Sequence, residues 1–399
     1  MNPPLSWWQR LTRAGSSLAM TQTLTYYAAF IALGLTTASL GPTLLGLQAQ
    51  TGSTLGEISF LFTARAFGYL IGSFIGGRLY DRLPGHRTMA VAILATALLM
   101  AAVPTLALLW VLTAVLLVLG LVEGVIDVGG NTLIVWVHRE RVAPYMNGLH
   151  LFFAIGAFLS PLLIAWAILL TGNFGWGYWL LALLLLPVAF RLLPLPNPLP
   201  IVSRAEHASV RPNYFLLLLF VLMFVAISGA EASFGGWIFT YGVKTNLLTA
   251  EAASVLNSAF WGAFLLGRAL SIPLASRVRP RVIVIADLLV ALAAIALMIL
   301  FPFAPWALWL GTILFGLGVA SAFPTVITFA GRHMIITGAV TGWFFVGASI
   351  GGMTLPWVIG QLFERVSPEA VFWVIGGALV LAFGVFATIL LYLKRQARV

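Results

Sequence analysis

Residues 68–87, GYLIGSFIGGRLYDRLPGHR, contain the end of an apolar helix and the charged loop that follows it. Glycine recurs at positions 68, 72 and 76, one helical turn apart, and this spacing is typical of a surface along which a second helix packs closely. The abrupt change from an apolar run to a short basic loop is typical of a helix that leaves a membrane. A similar stretch, AFLLGRALSIPLASRVRPR, begins 195 residues later (68 to 263). The sequence therefore predicts a membrane protein with an internal repeat.

The composition supports a membrane location. The chain has 399 residues, of which 61% are hydrophobic and 8% charged, and its mean hydropathy is +1.05. A water-facing surface normally carries about three times as much charge. The absence of cysteine excludes disulfides and thiolate metal sites. The N-terminal stretch has no apolar run ending at a small-residue cleavage site, so we expect no removable signal peptide.

Apolar runs of roughly 18–28 residues, each long enough to cross a bilayer, recur twelve times. We therefore predict an all-α integral membrane protein with twelve transmembrane helices in two pseudosymmetric six-helix bundles. The predicted spans are 22–47, 57–78, 88–106, 108–137, 147–170, 174–193, 214–241, 251–275, 282–301, 305–330, 335–359 and 370–393. A polar, proline-rich stretch predicts a linker, which divides the chain into bundles at 1–193 and 214–399 around a linker at 194–213.

The distribution of positive charge predicts the orientation. All but four of the 21 Lys and Arg residues lie in the termini, the predicted linker or the loops after even-numbered spans. The four exceptions are Lys244 and Arg365 in odd-numbered loops, and Arg65 and Arg268 within spans. The positive-inside rule then places both termini and the linker in the cytoplasm of a protein of the inner (plasma) membrane. The net charge of +10 is thus an orientation signal, and we expect no nucleic-acid partner.

The repeat extends beyond the opening stretch. GLVEGVIDVGGNT (120–132) parallels GLGVASAFPTVIT (316–328), and FFAIGAFLSP (152–161) parallels FFVGASIGGM (344–353). Repeats in parallel orientation are typical of secondary transporters whose substrate site lies between the two halves. The sequence therefore favours a transporter that works by alternating access.

GGRLYDRLPGHR (76–87) resembles the signature G-x-x-x-D-R-x-G-R-R of the major facilitator superfamily, with Gly77, Asp81, Arg82 and Arg87 at the matching positions and Pro84 as an extra residue. Further stretches are similar to the fucose–galactose–hexose symporter branch and its sodium-dependent glucose transporter-like members, namely 40–82, 123–136, 229–243 and 256–275. This resemblance implies the major facilitator fold and symport of a neutral sugar with a cation. It does not identify the sugar.

Three polar side chains in the fourth span, Glu123, Asp127 and Asn131, share one helical face. Charged groups within a bilayer are costly, so their first interpretation is functional. Glu123 lies at nearly the depth of Arg65, and the two form either a structural ion pair or part of the coupling site. Asp127 has no evident counter-charge and is predicted to bind the coupling ion. Sodium could use Asp127, Asn131, Thr132 and carbonyls loosened near the glycine pair 129–130, whereas a proton needs only the carboxylate.

The second half is predicted to contribute the sugar site. Glu231 is its membrane acid, and the following pair Gly235–Gly236 could break the helix. Asn257 and Trp261, one turn apart, combine an amide for hydroxyls with an apolar platform for a sugar face. The alternative is polar contact between helices for Asn257 and core packing for Trp261. Further residues predicted for this cavity are Trp237, Gln22 and Trp343.

Other charged residues are predicted to control conformation. Asp81 and Arg82 at the cytoplasmic mouth could form a charge-pair latch. Arg268 and Asp287 lie at similar depth in consecutive spans and are predicted to pair.

No nucleotide-binding P-loop and no hydrolase or metalloprotease motif occurs in the sequence, so we expect neither an ATP-driven pump nor an enzyme. The prediction is a monomeric symporter of a monosaccharide in contact with membrane lipid, without a cofactor, coupled to Na⁺ or H⁺. The alternative is a proton-driven exporter of amphipathic small molecules, whose site would be mainly aromatic.

Overall fold

The structure is a computed structural model that describes residues 7–199 and 213–396. These residues form fifteen α-helices and no β-strand. Their bounds are α1 Trp7–Thr37, α2 Leu40–Thr51, α3 Leu55–Ile58, α4 Phe60–Arg82, α5 Gly85–Ala102, α6 Leu109–His138, α7 Val142–Thr171, α8 Gly175–Leu192, α9 Tyr214–Lys244, α10 Ala250–Arg277, α11 Pro280–Leu300, α12 Pro305–Ala320, α13 Ala322–Gly331, α14 Gly338–Phe363 and α15 Ala370–Gln396.

Eleven stretches of the described residues are long and apolar enough to cross a membrane. The longest, Leu109–Thr171, contains both α6 and α7, which are joined by a 3₁₀ turn at Arg139–Arg141. The chain is therefore an integral multi-pass membrane protein with twelve crossings, as predicted.

Two crossings that the sequence analysis treated as continuous, 22–47 and 305–330, are interrupted. The first breaks between α1 and α2, and the second breaks at Ser321 between α12 and α13. In an α-helix, each N–H group donates to the carbonyl four residues earlier. At both breaks the donor position is a proline: Pro42, four residues after Ala38, and Pro324, four residues after Ala320. Because proline has no N–H group, each of these carbonyls loses its intrahelical donor, which favours a break.

The two bundles repeat the same helix packing. In the first bundle α4 packs on α6 and α1 on α7; in the second, α10 packs on α12 and α9 on α14. The repeat extends to single contacts. A β-carbon at Gly120 would collide with the backbone carbonyl of Arg65, and one at Gly316 would collide with that of Phe260. These contacts confirm the predicted fold of two pseudosymmetric bundles.

The predicted linker lies mostly outside the described residues, so its boundaries stay a prediction. Its first residues are held by the first bundle. The side chain of Gln22 donates to the Pro196 carbonyl at 2.8 Å, and the His86 backbone donates to the side chain of Asn197 at 2.8 Å. The imidazole of His86 also bonds the Leu195 carbonyl at 3.0 Å.

Hydrogen bonds between α3–α4 and α14 lie at one end of the molecule. The Leu55 backbone donates to Glu364 at 3.1 Å, and Gln361 donates to the Gly56 carbonyl at 2.7 Å. One turn further into α4, the Thr63 hydroxyl donates to Met353 at 2.8 Å. No hydrogen bond joins the remainder of α4 to the first half of α14 among the residues described. We call the bonded region, residues 55–63 with 353–364, the closed end.

Candidate functional site

A buried ion pair joins α4 and α6 in the first bundle. Arg65 Nε lies 2.9 Å from Glu123 Oε2, and Arg65 Nη2 lies 2.5 Å from Oε1. Both side chains are almost fully buried, at 8% and 2% exposure. This bidentate geometry is the strong form of a charge-assisted hydrogen bond. The pair accounts for both oxygens of Glu123.

Arg65 also binds the end of α1. Its guanidinium donates to the carbonyls of Thr36, at 2.7 Å, and Thr37, at 3.3 Å. These are the last residues before the helix break, where the helix dipole is negative. The structure thus gives Glu123 a structural partner, and the guanidinium stabilises the break between α1 and α2.

Asp127, one turn after Glu123, has a different environment. The Tyr69 hydroxyl donates to Asp127 Oδ2 at 2.5 Å, and the Asn131 amide donates to Oδ1 at 3.1 Å and to the Asp127 carbonyl at 2.9 Å. No Lys, Arg or His lies within ion-pair distance of this carboxylate in the described chain. The half-buried carboxylate therefore has hydrogen-bond donors but no fixed cation.

Sequence analysis did not identify Tyr69. A signal was present, because α4 and α6 pack in a constant register. Arg65 and Glu123 are separated by 58 residues, and so are Tyr69 and Asp127. Once the first pair is assumed, the same register places the tyrosine beside the aspartate.

The helix around the Asp127 site is regular. We expected carbonyls loosened near Gly129–Gly130, but α6 is continuous from Leu109 to His138. The two glycines instead make room for aromatic rings, since a β-carbon at Gly129 would collide with Tyr80 and one at Gly130 with Phe30. Thr132 is half-buried, and its hydroxyl makes no hydrogen bond with any described residue.

The glycine pair of α9 likewise does not break its helix, which runs without interruption from Tyr214 to Lys244. Gly236 instead accommodates Phe62 of the first bundle, whose ring would lie 2.7 Å from an added β-carbon. Trp237, predicted for the sugar cavity, is fully buried. Its indole donates to the Pro356 carbonyl at 3.0 Å and stacks on Phe363. In this conformation Trp237 is a packing residue.

Asn257 and Trp261 present unpaired polar atoms one helical turn apart. The Asn257 amide donates to the Gly235 carbonyl at 2.7 Å, but its Oδ1 is buried without a hydrogen-bond partner. The indole Nε1 of Trp261 is also buried and unpaired. Buried polar groups are nearly always hydrogen-bonded, so this acceptor and this donor are available to a ligand.

Glu231 and Arg268 face each other, and the predicted pair of Arg268 with Asp287 does not form. The Ser321 hydroxyl donates to Asp287 at 2.5 Å, whereas Arg268 interacts electrostatically with Glu231. The prediction failed because α12 packs against both α10 and α11 and lies between the two residues. Glu231 and Arg268 are nevertheless not in contact, since Arg65–Glu123 is the only ion pair within 4 Å in the described residues.

Two residues predicted for the sugar cavity lie elsewhere. Gln22 is bound to Pro196 at the start of the predicted linker. Trp343 is 55% exposed. It lies nine residues before Gly352, which at 100° per residue puts the two on opposite faces of α14. Because Gly352 faces the first bundle near Ala66, Trp343 faces away from it.

The predicted charge latch is not formed in this structure. Asp81, Arg82 and Arg87 are exposed, and none makes an ion pair with a described residue. Gly77 faces open space, with nothing within 4 Å of an added β-carbon. Gly77, Asp81 and Arg82 lie at the end of α4 remote from the closed end, and Arg87 follows at the start of α5.

Tyr69 of the first bundle and Glu231 of the second lie within about one helical turn of a common contact between the bundles. A β-carbon at Gly352 would be 4.0 Å from both Ala66 and Ala232, so α4, α9 and α14 meet there. Tyr69, the partner of Asp127, follows Ala66 by one turn, and Glu231 precedes Ala232. Tyr69, which donates to Asp127, and Glu231 therefore lie on opposite sides of the contact between the bundles.

The profile of the Major Facilitator Superfamily matches residues 26–353. The sequence is 31% identical over 377 residues to human "sodium-dependent glucose transporter 1", covering 84% of this chain and 72% of that protein. The mouse "sodium-dependent glucose transporter 1A" is 30% identical, with 84% and 88% coverage.

Among solved structures, that of a D-xylose-proton symporter superposes with a TM-score of 0.77 at 13% identity, over 92% of this chain and 97% of that one. The structure of the nucleoside transporter NupG gives a TM-score of 0.70 at 16% identity, over 94% and 99%. These likenesses show a common fold. With the profile covering most of the chain, the protein belongs to the Major Facilitator Superfamily, and it is a transporter, not an enzyme.

Proposed function

We propose that this protein is a symporter that couples the movement of a monosaccharide to that of a cation. The observation that carries the proposal is the Asp127 carboxylate, which lies within a membrane helix and has no positive partner among the described residues. An isolated charge in such a place is costly, and binding a cation neutralises it.

The donors around Asp127 suit a carboxylate that alternates between empty and occupied. Tyr69 and Asn131 both donate to it, so the ionised form is hydrogen-bonded while no cation is present. A sodium ion could use Asp127, the amide oxygen of Asn131 and the free hydroxyl of Thr132, whereas a proton needs the carboxylate alone. The relatives named as sodium-dependent glucose transporters support sodium and a hexose.

The proposed sugar site lies in the second bundle. Asn257 Oδ1 would accept a hydrogen bond from a sugar hydroxyl, and Trp261 Nε1 would donate one. The Trp261 ring would supply an apolar face for the C–H groups of the sugar, and Glu231 would accept hydrogen bonds from further sugar hydroxyls. We no longer assign Trp237, Gln22 or Trp343 to this site, because their side chains are used or directed elsewhere.

We further propose bundles at 1–193 and 214–399, a cytoplasmic linker at 194–213 and cytoplasmic termini. The closed end then faces the cell exterior, since Lys244 and Arg365 are the only basic residues in loops on that side. The structure would therefore represent the inward-facing conformation. Transport would require the closed end to open and the opposite end to close, with the protein working as a monomer.

The test is sugar uptake by the purified protein in liposomes under an imposed Na⁺ or H⁺ gradient. Asp127→Asn should abolish gradient-driven accumulation, because its amide carries no charge for a cation to neutralise, and should retain sugar exchange at equal concentrations. Glu140→Gln, which removes an exposed carboxylate after the end of the same helix, is the control and should accumulate sugar normally.

The gradient that drives uptake identifies the ion. Undiminished accumulation by Asp127→Asn would overturn the coupling role. Failure of the parent to transport any hexose, together with proton-driven release of an amphipathic compound, would favour the exporter instead.

A further inference from the structure

Glu231 and Arg268 are an incomplete ion pair. Both are half-buried in the second bundle and interact electrostatically, but they lie more than 4 Å apart. The Arg268 Nε is buried without a hydrogen-bond partner among the described residues, and the guanidinium lies over the Phe264 ring, 4.6 Å from the centroid. The Glu231 carboxylate accepts no hydrogen bond from a described residue.

The pair of the first bundle provides an internal comparison. Arg65 and Glu123 are in bidentate contact, and the remaining Arg65 donors reach backbone carbonyls. A buried pair that serves structure alone is stabilised by such complete hydrogen bonding. Glu231 and Arg268 lack it, although both lie within membrane-spanning helices. Their gap can therefore take a polar group that bonds both charges.

The gap continues the proposed sugar site. Asn257, Trp261, Phe264 and Arg268 are spaced four, three and four residues apart, and this spacing places them along one face of α10. On α9, Glu231 precedes Gly235 by one turn, and the Gly235 carbonyl binds Asn257. From Trp261 to Arg268 the rise along the helix is about 10 Å, within the combined reach of the two side chains.

The chemistry of the gap matches a vicinal diol. A carboxylate can only accept hydrogen bonds and a guanidinium can only donate them, whereas each sugar hydroxyl does both. Two hydroxyls on adjacent carbons can therefore bond the two charges simultaneously. His150 of the first bundle also interacts electrostatically with Arg268, so the gap faces the opposite bundle.

We propose that Glu231 and Arg268 form a clamp for two adjacent hydroxyl groups of the transported sugar. One hydroxyl donates to Glu231, and its neighbour accepts from Arg268. This clamp rests on the proposed function, and it makes Arg268, which sequence analysis assigned to gating, a specificity-determining residue. Sugars that lack or block either hydroxyl would be poor substrates.

The first test uses the unaltered protein. Dissociation constants are measured for a hexose that the protein binds and for each of its monodeoxy analogues, at saturating coupling cation. Hydrogen bonds to charged groups typically contribute enough for about tenfold or more in affinity. The two most costly deletions should therefore be at adjacent ring positions. If they are not adjacent, the clamp is wrong while the sugar-transport proposal stands; if no hexose binds, both are wrong.

The second test uses Glu231→Gln and Arg268→Gln. Each variant should bind the parent hexose about tenfold more weakly. In each variant, removing one of the two hydroxyls from the sugar should cause no further loss of affinity. Thr312→Val, which removes another buried unpaired polar atom, is the control and should keep the parent pattern. If the pair is purely structural, the two variants should instead have lower thermal stability, and each monodeoxy analogue should lose the same affinity as it does with the parent protein. That result would overturn the clamp.

Discussion

Arg65 and its counterpart in the second bundle show how the repeat has diverged at single residues. The Gly120 contact with Arg65 and the Gly316 contact with Phe260 are equivalent, so Phe260 occupies the position of the arginine. Val319 then stands where the first bundle has Glu123. Phe260 packs in an aromatic cluster with Phe234 and Phe315. The same helix pair is thus stabilised by an ion pair in one bundle and by apolar packing in the other.

This divergence predicts the effect of removing the ion pair. Arg65→Met should destabilise the protein by about 3–5 kcal/mol, because it leaves Glu123 buried without a counter-charge. The double variant Arg65→Met with Glu123→Leu should recover most of that loss, since it copies the apolar solution of the second bundle. Thermal unfolding in detergent measures both. A double variant no more stable than Arg65→Met would contradict the structural role assigned to Glu123.

The residue-scale predictions succeeded where partners lie on one helix or at equal depth on neighbouring helices. The spacing of Asp127 and Asn131 predicted their contact, and depth predicted the partner of Glu123. Tyr69 was missed because identifying it requires the register between α4 and α6. The Arg268–Asp287 pair was wrong because depth along consecutive helices does not reveal that a third helix lies between them.

At the scale of elements, α4 and α6 pack closely enough for backbone to meet backbone. A β-carbon at Gly68 or Gly72 would collide with the carbonyls of Leu117 and Leu121, and Gly124 lies in the same way against Tyr69. This close approach sets the register that brings the partners of Glu123 and Asp127 together. The small residues are therefore a condition for the cation site as well as for packing.

Gly72→Ala should consequently destabilise the helix pair by about 1–3 kcal/mol, because the methyl group must push two backbones apart. Gly77→Ala is the matched control in the same helix. It faces open space, so it should leave stability unchanged or raise it by up to about 1 kcal/mol through helix propensity. Thermal unfolding of the two variants compares them directly. An equal change in stability in the two variants would show that contact with α6 does not control the effect of Gly72→Ala.

Helix breaks were the element-scale feature that sequence analysis predicted least well. We expected interruptions at the glycine pairs of α6 and α9, but the breaks follow Thr37 and Ala320. Glycine permits a break without requiring one, and here the glycines serve close contact. Proline alone is not decisive either, since Pro161 and Pro356 lie inside continuous helices. At the α1 break, Arg65, a residue far away in sequence, donates to the carbonyls of Thr36 and Thr37 at the end of α1.

At the scale of the whole molecule, the internal repeat and the basic loops were sufficient to predict the two-bundle architecture. They could not predict which end would be closed, because the two conformations of a transporter differ by only a few kcal/mol and share one sequence. The hydrogen bonds at the closed end come from backbone groups and from Thr63, Gln361 and Glu364, none of which has a distinctive motif.

Crosslinking tests whether the closed end opens during transport, and the natural absence of cysteine makes the chain suited to it. In the variant with Gly56→Cys and Gln361→Cys, a short thiol crosslink should join the bundles and abolish sugar transport, and reduction should restore it. The control pair, Pro104→Cys and Gly175→Cys, lies within the first bundle, where an added β-carbon at Gly175 is 3.0 Å from Pro104. Its crosslink should leave transport intact. Transport at the parent rate by the fully crosslinked 56–361 protein would show that this end stays shut, and alternating access through it would have to be abandoned.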